Sequence, residues 1–68
     1  MSLIIRDPDI LGGEPVFRGT RVPFQTLLAY LEHGKTIHQF LDEFPTVTRE
    51  MAVAALEEAK DMVFAGLQ

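Results

Sequence analysis

The chain has 68 residues, no cysteine and a formal net charge of −4. That length holds a single domain, residues 1–68, which buries only about 60% of its unfolded surface around a core worth roughly 3–5 kcal/mol. The lack of Cys excludes disulfides and thiolate zinc sites, and the acidic balance excludes a broad nucleic-acid surface.

Hydrophobic residues make up 47% of the chain. In so small a domain, part of that surface is expected to meet another chain, as a homodimer or with a partner. No run reaches the ~18 apolar residues of a membrane span. Met1 to Asp7 lacks the basic region and long apolar run of a secretory signal, so the expected location is the cytoplasm. Charge is unevenly spread. Residues 15–31 carry Arg18 and Arg21 and no acid, whereas 35–68 set Lys35, Arg49 and Lys60 against Asp42, Glu43, Glu50, Glu57, Glu58 and Asp61. Any DNA surface is therefore local.

In chain order, Leu3-Ile4-Ile5 is a short apolar, β-rich run ended by Asp7-Pro8, and predicts a strand. Asp9 to Pro15, with Gly12-Gly13, predicts a loop. Val16 to Val22 predicts a hairpin with Gly19-Thr20 as its two-residue turn, Arg18 facing Arg21 and Phe17 facing Val22. Pro23 is expected at the first position of a helix running to about His33. Phe24, Leu27, Leu28 and Leu31 form its apolar stripe, and Gly34 stops it. Thr36 with Gln39 fits a capping box opening a second helix over Ile37 to Glu43, with stripe Ile37, Phe40, Leu41 and Phe44. Thr48 caps a third helix from Arg49 to about Phe64, whose stripe is Ala52, Ala55, Leu56, Ala59 and Val63.

The fold class expected is mainly α with a short β-hairpin and three helices, the plan of a helix-turn-helix domain; plain three-helix packing gives the same pattern. The run Asp7-Pro8-Asp9-Ile10-Leu11-Gly12-Gly13-Glu14-Pro15-Val16-Phe17-Arg18-Gly19-Thr20-Arg21-Val22-Pro23 resembles the signature of the family of domains of unknown function 433. The resemblance continues through Gly34, Phe44-Pro45, Thr48 and Ala54-Ala55-Leu56. It implies a homeodomain-like or winged-helix-like fold and a prokaryotic antitoxin, often paired with a PIN-like nuclease toxin. Glu14 stands where the family often has Lys, and Phe17 where it usually has an aliphatic residue.

The candidate nucleic-acid-binding residues are Arg18, Arg21, Lys35, Thr46, Thr48 and Arg49. Like charges across a hairpin are unfavourable, and a phosphate or carboxylate between Arg18 and Arg21 would reverse that sign. Local pairing with Asp7, Asp9 or Glu14 would quench them instead. Thr46, Thr48 and Arg49 open the third helix, where a recognition helix meets phosphates and base edges; a plain cap and a solvated Arg give the same pattern. The candidate partner or dimer residues are Leu3, Ile4 and Ile5 at one end and Met62, Val63, Phe64 and Leu67 at the other. His38 and Asp42 share a helix face without a third ligand, so no metal is expected. No nucleophile–base–orienter set occurs, and no cofactor is expected. Two functions follow: a dimeric antitoxin-like regulator that binds its own operator DNA, or a protein-interaction module that neutralises a PIN-like nuclease without touching DNA.

Overall fold

A computed structural model describes residues Met1 to Leu67. The chain forms β1 (Ile4–Ile5), a single 3-10 turn (Leu11–Gly13), β2 (Val16–Phe17), α1 (Phe24–Glu32), α2 (Ile37–Glu43) and α3 (Arg49–Ala65). Among the described residues no helix is long and apolar enough to cross a membrane.

The β part differs from the hairpin expected at 16–22. β2 pairs antiparallel with β1, with Ile4 opposite Phe17 and Ile5 opposite Val16. The return arm after β2 makes only an isolated bridge, Val16 to Pro23. Its register is the expected one, since the Phe17 N–H donates to the Val22 carbonyl at 3.0 Å. The arm ends at Pro23 because α1 begins at the next residue. The turn itself is centred on Arg18-Gly19: the Thr20 N–H donates to the Phe17 carbonyl at 3.0 Å. Gly19, at φ 79°, therefore takes the third turn position, as in a type II turn. The Thr20 hydroxyl donates to the Phe17 carbonyl at 2.8 Å and accepts from the Val22 N–H. Arg18 is thus a turn residue, and its N–H donates to Leu3 at 2.8 Å rather than facing Arg21.

The helices begin and end where local chemistry dictates. Pro23 is the residue before α1 rather than its first, and the Phe24 N–H is satisfied by the Pro15 carbonyl at 3.1 Å. α1 closes with Gly34 at φ 80°. The Lys35 N–H reaches Tyr30 and the Gly34 N–H reaches Leu31, which is the Schellman pattern. Lys35 then lies 5.5 Å from the centre of the Tyr30 ring. The Thr36 capping box is formed reciprocally with Gln39. Thr48 caps α3 by accepting from the Met51 N–H at 3.1 Å. Val47, one residue before that cap, is buried with Ala52 in the same cluster, the placement of a hydrophobic staple.

The core is aromatic. Phe17 meets Phe24 edge-on at 5.9 Å and Phe40 at 6.0 Å. Phe40 then meets Tyr30 at 5.6 Å and Phe44 at 5.0 Å. Each such pair adds about 0.5–1.5 kcal/mol beyond the area it buries. Ala52 and Ala55 are fully buried, and their small size lets α3 approach this cluster closely. Val63, expected to end the same stripe, is 62% exposed, because α3 runs on past the body it packs against. Phe40→Ala is expected to cost about 3–5 kcal/mol. That equals the whole stability of a domain this size, so circular dichroism should show a largely unfolded chain.

The loop between the strands holds one local cost. Leu11, Gly12 and Gly13 all have positive φ, with Leu11 at 49°. A bulky L-residue there costs roughly 1–2 kcal/mol, and Leu11 is 48% exposed, so little packing offsets it. Leu11→Asn, which tolerates this conformation, is expected to raise stability by about 1 kcal/mol in a urea melt.

Candidate interaction surface

The six residues expected at nucleic acid fall on three separate connections. Arg18 and Arg21 lie on the turn after β2, at the start of α1. Lys35 lies at the far end of α1, about 13 Å along its axis. Thr46, Thr48 and Arg49 lie on the link into α3. Among the described residues no hydrogen bond or ion pair joins these three groups.

Their charge states are informative. Two close pairs of oppositely ionisable side chains occur among the described residues: Lys60 with Glu57 at 2.8 Å, and His38 with Asp42 at 3.5 Å, an ion pair only when the imidazole is protonated. Neither includes an arginine. Asp7, Asp9 and Glu14 do not neutralise Arg18 or Arg21, and Glu50 does not neutralise Arg49. Asp7 instead accepts from the Asp9 N–H at 2.9 Å. Arg18, Arg21 and Arg49 are all exposed. Lys35 is placed over Tyr30 and is bound up with the end of α1. The Thr48 hydroxyl is used as a cap, and Thr46 is exposed.

The outward surface of α3 carries Arg49, Glu50, Val53, Ala54, Glu57, Lys60 and Asp61, all exposed. Glu57 occupies Lys60, which leaves Arg49 as the one unpaired cation there among the described residues. Phosphate would meet more like charge than opposite charge along this helix.

The two sets of apolar candidates fare differently. Leu3, Ile4 and Ile5 are half-buried, and Leu3 and Ile4 pack on the core. The outer edge of β1 is also occupied. The Ser2 hydroxyl accepts from the Ile4 N–H at 3.3 Å, and the Glu58 carboxylate accepts from the Leu3 N–H at 2.9 Å. Met62, Val63, Phe64 and Leu67, by contrast, are 71%, 62%, 64% and 63% exposed. They form an apolar cap on the last turns of α3. A shallow groove of about 330 Å³, lined by Ile4, Ile5, Pro15, Glu58 and Met62 among others, joins that end to β1.

A sequence profile described as "Protein of unknown function (DUF433)" matches residues 4–59. The chain belongs to the DUF433 family. The matched stretch holds the strands, the Arg18–Arg21 turn, α1, α2 and α3 up to Ala59; the exposed end of α3 lies beyond it. The chain is 40% identical over 49 residues to the uncharacterized protein y4eO of Sinorhizobium fredii (strain NBRC 101917 / NGR234). That alignment covers 72% of this chain and 22% of the relative. The crystal structure of a DUF433 member from Anabaena variabilis ATCC 29413 superposes with a TM-score of 0.75 at 31% identity, over 90% of this chain and 60% of that one. The chain thus spans under a quarter of the length of y4eO and three-fifths of the solved relative.

Glu58 is a residue that sequence periodicity did not single out. Its carboxylate takes the Ser2 hydroxyl and the Leu3 N–H, and these bonds hold its pKa below the usual Glu value. A lowered folded-state pKa means the contribution is complete above the ordinary carboxylate value and is lost as pH falls through the folded one. The Leu3 amide signal in NMR is therefore expected to stay constant from neutral pH down to the ordinary Glu value, then to move below it. Glu58→Gln should abolish that transition.

Proposed function

We propose that the chain is a non-catalytic, protein-binding module of the antitoxin kind, which neutralises a nuclease of the PIN-like class by direct contact. The observation that carries this reading is the apolar end of α3, where Met62, Val63, Phe64 and Leu67 are each more than 60% exposed. Isolated exposed apolar residues are ordinary, but four within six positions on one helix end mark a contact surface. The unneutralised Arg18 and Arg21 supply the complementary chemistry. A guanidinium fork matches a carboxylate pair, and carboxylates are what a metal-dependent nuclease site presents. The acidic outward surface of α3 favours a protein partner over the DNA groove.

Operator binding is the second reading. It is favoured by Arg49, exposed and unpaired directly behind the Thr48 cap, where recognition helices contact DNA. In either case the same apolar end suits a second copy of the chain, so the functional form is expected to be a homodimer or a complex.

Co-expression with the product of the adjacent gene and affinity capture separates the two readings. Phe64→Asp is expected to weaken partner binding about 30-fold or more, in the range of a truncated interface anchor worth ≥ 2 kcal/mol. Retention of full binding by this variant would refute the docking surface. A gel shift with upstream DNA that falls steeply with salt and disappears in Arg49→Ala would establish the second reading instead.

A further inference from the structure

Three segments far apart in sequence converge on Ser2. Glu58, from the middle of α3, accepts the Ser2 hydroxyl and the Leu3 N–H, the latter at 2.9 Å. The Ser2 carbonyl in turn accepts from Arg18 Nε at 2.7 Å. The Ser2 hydroxyl also lies 2.7 Å from the Ile4 carbonyl. A hydroxyl has one proton, and the charged carboxylate is the stronger acceptor, so Ser2 is drawn towards α3. Ser2 is thereby fixed on one side by α3 and holds the Arg18 guanidinium on the other.

The bond at Nε matters for what remains free. A guanidinium engaged through Nε keeps both Nη groups, whose fork is the end-on face that grips a carboxylate with two parallel bonds. Neither Nη of Arg18 has a hydrogen-bond partner among the described residues, and no carboxylate lies within ion-pair reach. Arg18 is exposed but not loose. Its N–H is tied to Leu3 and its Nε to Ser2. Arg21 has neither tether among the described residues. A long side chain held in one orientation loses less conformational freedom on binding than a free one.

We propose that Glu58, acting through Ser2, is a positioning residue that sets Arg18 to grip a carboxylate pair on an acidic partner protein. The inference rests on the protein-binding reading above and deepens it. Arg18 is the gripping residue and Arg21 the untethered, secondary one. Glu58 touches no ligand, and its effect on recognition passes through Ser2 and the Ser2–Leu3 peptide, whose N–H it accepts and whose carbonyl holds Arg18.

The test is ¹⁵N NMR of the full chain, reading each arginine Nε–H, followed by titration with an oligoglutamate peptide at low salt. The Arg18 Nε–H is expected to exchange with water about two- to tenfold more slowly than that of Arg21, the span of one intact hydrogen bond. Glu58→Ala should erase that difference, whereas Ser2→Ala, which keeps the carbonyl that Arg18 Nε donates to and the Glu58–Leu3 bond, should only narrow it. Ser2→Ala removes one of the bonds that lower the Glu58 pKa and should lower the thermal melt slightly, so exchange is compared where circular dichroism shows every variant folded, which separates positioning from folding. Peptide binding should shift the Arg18 resonance first and weaken in Ser2→Ala, Glu58→Ala and Arg18→Lys, the last keeping the charge without the fork. Equal exchange at Arg18 and Arg21 in the unmodified chain overturns the proposal, as does peptide affinity indifferent to Glu58→Ala. A slowed Arg18 Nε–H that responds to a short DNA duplex and not to the peptide overturns the carboxylate ligand in favour of phosphate. A slowed Nε–H with no response to either would sink the protein-binding reading while the Glu58–Ser2–Arg18 tether stood.

Discussion

Phe17 is where the two halves of this molecule meet. It sits in a two-residue strand, is fully buried, and touches Phe24 of α1 and Phe40 of α2. Its backbone pairs on one side with β1 and on the other with the arm that becomes α1. A two-stranded sheet of this length has no stability of its own. It persists because Phe17 makes it part of the helical core. The Arg18 turn follows directly, so its position is inherited from a fully buried side chain. An aliphatic residue at this position could fill the space but not supply the two ring-to-ring contacts.

That arrangement also explains why α3 outruns its support. Its 17 residues span about 25 Å, while α1 and α2 have 9 and 7. The small Ala52 and Ala55 lie against the aromatic cluster, and Glu58 reaches the N-terminal strand. Beyond Ala59 every described side chain of the helix is exposed, and Met, Val and Phe stand there. Large apolar side chains on an unsupported helix end raise the free energy of an isolated chain in water. Their presence makes sense when another surface covers them.

Much of this was legible in the sequence, and for identifiable reasons. Thr36 with Gln39, Thr48, and Gly34 are local signals whose chemistry operates within one turn, so α2 and the starts and stops of its neighbours followed from spacing alone. The β part was less legible. Arg18-Gly19-Thr20-Arg21 announces a turn, but the identity of the strand partner depends on a contact between residues 4 and 17, which periodicity does not carry. Centring the turn on Gly19-Thr20 failed because Thr20 is needed for its hydroxyl, which bonds Phe17 and Val22 at once. Val47 and Tyr30 were missed as packing residues, since one stands alone in a polar link and the other lies off the α1 stripe. Glu58 was invisible as a site residue because its partner, Ser2, is 56 positions away.

The charge distribution then separates into two surfaces with different logic. The acids of α3 face outward with Lys60 already engaged by Glu57. The arginines of the turn face outward with no acid to engage them, in a chain whose net charge is −4. Ten acids are available, and Coulomb attraction alone would draw some of them towards Arg18 or Arg21. Two of them are committed elsewhere: Asp7 to its own loop backbone, and Glu58 to Ser2 and Leu3. Glu58 is the telling case. It lies one residue away, through Ser2, from the Arg18 guanidinium, yet it binds the carrier rather than the cation. An acid placed to hold an arginine's support, and not the arginine, leaves the full charge of the fork for a ligand.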